Sequence, residues 1–261
     1  MSGRFTSEKL KILAMGAMFL DHAAAAVIFG SGLNRTSLLV ENIGIAMRLV
    51  GRMAFPLYAF LLVQGFMWTR DWTKYVMRVA LFALVSEVPF NLVVSENVWY
   101  PWAQNTLVTL MIGLICMRML AALESRFGQA FRFECPNRSC RIENEESNRD
   151  LGEMILGIAL AVWVVAAAML AAVVMRSDYS ATGVLLIAVL YLFRYRPAES
   201  VTAGCLVMVL IYGFSMEVLF AWIAFFLISR YNGERGRKLG LMPYVFYPLH
   251  LLAVWLAGTF L

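Results

Sequence analysis

Between Met154 and Met175 the chain carries no charged side chain. At 1.5 Å per residue such a run crosses the roughly 30 Å hydrocarbon core of a bilayer as an α-helix. Hydrocarbon offers backbone amides no partner, so a crossing chain must satisfy its own hydrogen bonds. Similar apolar runs recur, and nine spans are expected, at about residues 10–29, 53–69, 75–95, 105–123, 153–175, 181–193, 200–213, 214–230 and 243–261. Apolar residues make up 61% of the chain and charged residues only 15%, where a soluble domain carries roughly 25% charge. The expected fold class is all-α: a polytopic transmembrane helical bundle, one domain over residues 1–261, with a polar cytoplasmic loop at about 124–150.

Lysine and arginine placement orients this bundle, because cytoplasmic loops are enriched in both. With the N-terminus cytoplasmic, 18 of the 22 basic residues fall on inner segments, and only Arg35, Arg48, Arg52 and Arg176 fall outside. The segment between the first two spans is therefore read as an outer connection. Met1 to Leu10 is polar and leads straight into an apolar run without a small-residue cleavage site, which reads as a retained first span. Trp68 and Trp72 bracket one inner boundary, while Trp99, Tyr100 and Trp102 mark an outer loop free of lysine and arginine. Positive charge distributed this way reports orientation, and no nucleic-acid module is visible. Four scattered cysteines give no disulfide framework, and the Cys135/Cys140 pair lacks the second pair that a structural zinc site needs.

Ionisable side chains at membrane depth are costly and usually functional. Few occur here: Asp21, His22, Arg52, Glu87, Asn91, Asn105, Glu217 and His250. Asp21 and His22 lie about 15 Å along a helix from Lys11, and His250 about 10 Å beyond Pro243, so the first and last spans can bring both imidazoles to similar depth. Consecutive positions diverge by about 100° on a helix, so Asp21 and His22 face different neighbours. Arg52 is the expected partner of Asp21, since pairing lowers the cost of burying either charge. Pro56, Pro89 and Pro248 release the carbonyls of Arg52, Val85 and Tyr244, which places irregular backbone beside the polar residues.

Several segments together resemble the TraX family of integral membrane proteins. They are Met18-Phe-Leu-Asp-His22, Gly51-Arg-Met-Ala-Phe-Pro56 leading to Gln64-Gly65, and the Asn105 span, followed by Asp178-Tyr179 with Gly183-Val-Leu-Leu, Tyr231-Asn-Gly-Glu-Arg-Gly236 and Phe246-Tyr-Pro-Leu-His250. The resemblance implies a membrane acyltransferase, multi-pass in a bacterial plasma membrane, that moves an acetyl group from cytoplasmic acetyl-CoA. The family's namesake acetylates pilin amino termini. The Tyr231 to Gly236 run departs from that branch, so the expected acceptor is an exported peptide's amino terminus or a cell-surface polymer hydroxyl. No metal is expected.

Acetyl transfer needs a base for the incoming amine or hydroxyl, and histidine suits that task. His22 is the expected base, or alternatively a nucleophile forming an acetyl-imidazole. Arg52 or Asn105 is expected to stabilise the oxyanion, with Asp21 as the buried partner charge and His250 as second acid/base or thioester-orienting group. The phosphates of CoA call for cations, for which Arg70, Lys74, Arg78 and the turn Tyr231, Asn232, Gly233, Arg235 to Lys238 are candidates. Asp178, Tyr179 and Glu87 are expected nearer the acceptor. Two rival readings use the same residues: a proton-coupled transporter with Asp21, His22, Glu87 and His250 as a relay, and an assembly subunit in which they only pack.

Overall fold

In a computed structural model, residues 4–128 and 151–260 are described, and among them ten α-helices form a bundle. They are α1 Ser7–Ala23, α2 Leu38–Gly51, α3 Ala54–Trp68, α4 Trp72–Ser95, α5 Thr106–Phe127, α6 Leu151–Val174, α7 Ser180–Leu192, α8 Pro197–Tyr212, α9 Met216–Ser229 and α10 Met242–Thr259. No strand is assigned among the described residues, only the isolated bridges Phe5 to Tyr231 and Gln104 to Ser177. Side-chain oxygens of Thr6, Ser37, Asp71 and Asn105 cap α1, α2, α4 and α5 by accepting backbone N–H groups of the first turn. Pro197 and Pro243 begin α8 and α10, where a missing N–H costs nothing.

Helix α3 is the hub, packing on α1, α5, α7 and α9 and burying Phe55, Leu57, Phe60, Leu61, Leu62 and Val63. Helix α10 packs on α4 and α1, closing the bundle across its chain ends. The outside is apolar: Leu84, Trp163 and Leu206 are each more than 60% exposed. Among the described residues, five segments are long and apolar enough to cross a membrane: Ser7–Gly30, Leu38–Trp68, Trp72–Ser95, Thr106–Phe127 and Leu151–Val174. A surface of that kind is unfavourable in water and suited to lipid.

Two local departures matter for the site. First, α1 runs into a π-helical stretch, Ala24–Gly30, directly after Asp21 and His22, and such bulges recur at functional positions. Second, residues 30–52, expected as a connection between the first two spans, are largely helical. They hold α2, which packs on α1. Helices α2 and α3 form one long apolar segment broken only at Arg52 and Met53, where Pro56 cannot donate to the Arg52 carbonyl. The turn tightens there through N–H bonds from Arg52 to Leu49 and from Met53 to Val50. The expected polar loop at 124–150 overlaps the last turn of α5, and residues 129–150, with Cys135 and Cys140, lie outside the described residues.

Candidate functional site

Helices α1 and α10 bring the two histidines together. His22 Nδ1 lies 2.7 Å from His250 Nε2, and the rings stack at 4.9 Å between centroids. His250 Nδ1 is 2.9 Å from the Phe246 carbonyl, which can only accept, so this nitrogen carries a proton. In the neutral pair, His250 Nε2 is then an acceptor and His22 Nδ1 the donor to it. The tautomer chain leaves the His22 Nε2 lone pair without a proton, which is the arrangement a general base needs. Phe246 stacks on His250 at 4.7 Å, and Tyr247 presents its ring edge to His22 at 6.4 Å.

Asp21, one position earlier, turns toward the break between α2 and α3. Arg48 Nη1 donates to its Oδ2 at 2.7 Å, and Arg52 Nη2 lies 3.5 Å from Oδ1. Arg52 is thus a partner as expected, but Arg48 is the closer one. Arg48 went unrecognised because its segment was read as a loop. The missed signal is its spacing, since residues four apart share a helix face. Gly51 permits the approach, as a Cβ there would collide with the Asp21 side chain. Arg52 Nε also faces Glu217 Oε1 at 3.8 Å, and its guanidinium lies 5.6 Å from the Tyr212 ring centre.

Glu87 and Asn105 meet across α4 and α5. The Asn105 amide donates to Glu87 Oε2 at 2.6 Å and to the Ala83 carbonyl at 2.8 Å, while its Oδ1 caps Leu107. Next to it, the Thr106 hydroxyl donates to Asp178 Oδ2 at 2.6 Å, and Tyr179 stacks on Phe55 at 3.6 Å. Asp178 is exposed, and Glu217 and Arg48 are partly so. These residues form a polar rim on one side of the histidine pair.

A cavity of about 420 Å³ lies among α1, α3, α4, α5, the 235–240 loop and the start of α10. Lys11, Arg78, Arg235, Arg237 and Lys238 line it, with Tyr58, Tyr75 and Tyr244, and no carboxylate among the described residues does. Five cations facing one space without a counter-charge suit a polyanionic ligand. Arg235 donates to the Trp68 carbonyl at 3.0 Å and stacks over the Trp68 ring. Of the sequence candidates for phosphate contact, Arg78, Arg235 and Lys238 line the cavity, while Arg70, Lys74, Tyr231, Asn232 and Gly233 do not. Lys74 pairs with Asp71 at 3.1 Å.

The Tyr231 to Gly233 turn instead anchors the loop that carries the cations. The Asn232 N–H donates to the Phe5 carbonyl, the Phe5 N–H to the Arg230 carbonyl, and the Ser7 and Glu8 N–H groups to the Glu234 and Arg235 carbonyls. The α1 N-terminus thereby finds partners for donors that no helix can satisfy internally. The Glu8 carboxylate completes the clasp by accepting the Arg237 N–H at 2.7 Å. Gly236 has φ 68°, and a Cβ there would meet Glu8 at 2.7 Å.

The family model described as TraX protein matches residues 6–257. A curated relative, the probable fimbrial assembly protein FimC, serogroup H1, of Dichelobacter nodosus, is 30% identical over 125 residues, covering 45% of this chain. The match takes in 48% of that relative, so the chain spans about half its length. No solved structure gives a significant match.

Proposed function

The chain belongs to the TraX protein family, and we propose that it transfers an acetyl group from acetyl-CoA, held at the cationic cavity, to the amino terminus of an exported peptide at the polar rim. The observation that carries this reading is the hydrogen-bonded pair His22 and His250, carried on helices that also line the cationic cavity, with a rim of mixed charge beside it. Lys11, Arg78, Arg235, Arg237 and Lys238 hold the phosphates of the donor. His22 Nε2 takes the proton of the attacking amine, and His250 fixes the His22 ring and stabilises the imidazolium that results. Asp21, neutralised by Arg48 and Arg52, holds the end of α1 in register beside them. Asp178, Tyr179 and Glu217 meet the acceptor.

The relative's name, a fimbrial assembly protein, favours a peptide acceptor over a surface polymer, and a bacterial plasma membrane as the location. A transporter relay has no reason to consume a thioester, so the requirement for acetyl-CoA separates the two readings. The test supplies acetyl-CoA labelled in its acetyl group to the protein in lipid vesicles with a synthetic amino-terminal peptide of an exported fimbrial subunit. Label in the peptide supports the proposal, and label retained in the donor contradicts it.

A further inference from the structure

The helices that line the cavity also run toward the histidines. Along α3 the lining residues step from Trp68, beside Arg235, through Gly65, Leu62 and Leu61 to Tyr58. Tyr58 is thus about 15 Å from the cationic end. Along α10, Tyr244 lines the cavity, and Tyr247 and His250 follow at intervals of three residues on the same face. Tyr58 and Tyr247 are close enough to interact electrostatically, and the Tyr247 ring lies 6.4 Å from His22 and 5.7 Å from His250. Tyr58 therefore lines the cavity, and along α10 Tyr247 lies between the cavity-lining Tyr244 and His250.

Both hydroxyls are buried, and neither makes a hydrogen bond among the described residues. Thr106 lies beside Tyr247 and donates its own proton to Asp178, but its contact with the phenol falls short of hydrogen-bond geometry. A buried polar group without a partner is destabilising by about 1–3 kcal/mol. Two such donors, one lining the cavity and one beside the histidines, suit one acceptor oxygen with two lone pairs. The groups expected to serve an oxyanion do not line the cavity: Arg52 pairs with Asp21 and Glu217, and the Asn105 amide donates to Ala83 and Glu87.

We propose that Tyr58 and Tyr247 donate their hydroxyls to the carbonyl oxygen of the acyl donor and stabilise the negative charge that develops on it. The proposal rests on the acetyl-transfer reading and adds the residues that hold the reacting carbonyl. In the step, the acceptor nitrogen forms a bond to the carbonyl carbon, and the carbonyl π electrons move onto oxygen between the two phenols. His22 Nε2 removes the amine proton. Collapse re-forms the carbonyl, breaks the carbon–sulfur bond and releases CoA thiolate, which takes the proton from His22. Donors aimed at the developing oxyanion typically lower the barrier more than they tighten ground-state binding.

The experiment compares wild type with Tyr58→Phe and Tyr247→Phe, which keep the packed rings. Two readouts are taken: kcat with acetyl-CoA, and the infrared carbonyl stretch of a bound ketone analogue in which a methylene replaces the thioester sulfur. Each variant is expected to bind the analogue as tightly as wild type, to lose about a hundredfold in kcat, and to shift the carbonyl band back toward its frequency in water-free solvent. A bound carbonyl with the same frequency in all three proteins overturns the assignment of the tyrosines while leaving acetyl transfer standing. Failure of folded wild-type protein to bind either acetyl-CoA or the analogue overturns both.

Discussion

Asp21 on α1 and Arg48 on α2 meet at 2.7 Å, across 27 residues of chain. The contact ties the residue before His22 to α2, at the level where α2 gives way to α3. Removing Arg48 leaves Asp21 with Arg52 at 3.5 Å as its remaining partner. Breaking a fully buried pair costs about 3–5 kcal/mol, and the partial exposure of Arg48 reduces this to roughly 1–2 kcal/mol. Arg48→Ala is thus expected to lower the melting temperature in detergent, and Asp21→Asn in the same chain to recover part of the loss. Equal stability of Arg48→Ala and wild type would contradict the pairing.

On the proposed reading, the five cavity cations act on binding rather than on the chemical step. Arg78→Ala and Lys11→Ala are each expected to weaken acetyl-CoA binding about tenfold, since a charge-assisted hydrogen bond contributes roughly 1.5–3 kcal/mol. Their kcat at saturation stays near that of wild type. Equilibrium binding across a salt series checks this, because the affinity of wild type should fall more steeply with ionic strength than that of either variant. A variant with lower kcat and unchanged affinity would place these residues elsewhere in the mechanism.

Gly236 combines a left-handed backbone with a close approach to Glu8. Gly236→Ala is expected to cost about 1–3 kcal/mol at the loop and to loosen Arg235, Arg237 and Lys238 together. The measurement is donor affinity alongside the melting temperature: affinity falls by more than tenfold while the melting temperature drops only a few degrees. A large global destabilisation with normal residual affinity would show that the clasp holds the bundle and not the cavity.

Orientation can be checked at the two ends of the bundle that α4 spans, its 24 residues extending about 36 Å from beside the Arg235 loop, which bonds Trp68, to Asn97. In a chain whose native cysteines are replaced by serine, Asn97→Cys is expected to react with an impermeant thiol reagent from outside the cell, and Glu234→Cys only after permeabilisation. Labelling of both from the same side would contradict the proposed topology.

How much of this was legible in the sequence depends on the kind of signal. Apolar runs alone located α1 and α3 through α10, because lipid solvation acts on every residue of a span. Helix α2 escaped because Arg35, Arg48 and Arg52 weigh heavily in a charge count that cannot distinguish a surface arginine from one neutralised by Asp21. The pairing of His22 with His250 required α1 and α10 to be neighbours, a long-range contact that no local pattern specifies. Asn105 was recognisable as polar at depth, yet its dual role as cap and Glu87 partner appears only once α4 and α5 are packed. Arg237 and Lys11 joined the cavity through the pairing of residues 5–8 with residues 230–235, a backbone contact with no side-chain signature.

The central claim is that His22 Nε2, oriented by His250, removes the acceptor proton during transfer from acetyl-CoA. The most direct measurement is CoA release from acetyl-CoA by purified wild type, His22→Ala and His250→Ala, each monodisperse, with an amino-terminal peptide as acceptor. The expected result is peptide-dependent release by wild type, a loss of about 10²–10⁴-fold in His22→Ala, and in His250→Ala a smaller loss confined to kcat, with donor affinity unchanged in both. Undiminished release by His22→Ala, or no release by folded wild type that binds acetyl-CoA and peptide, would contradict the account.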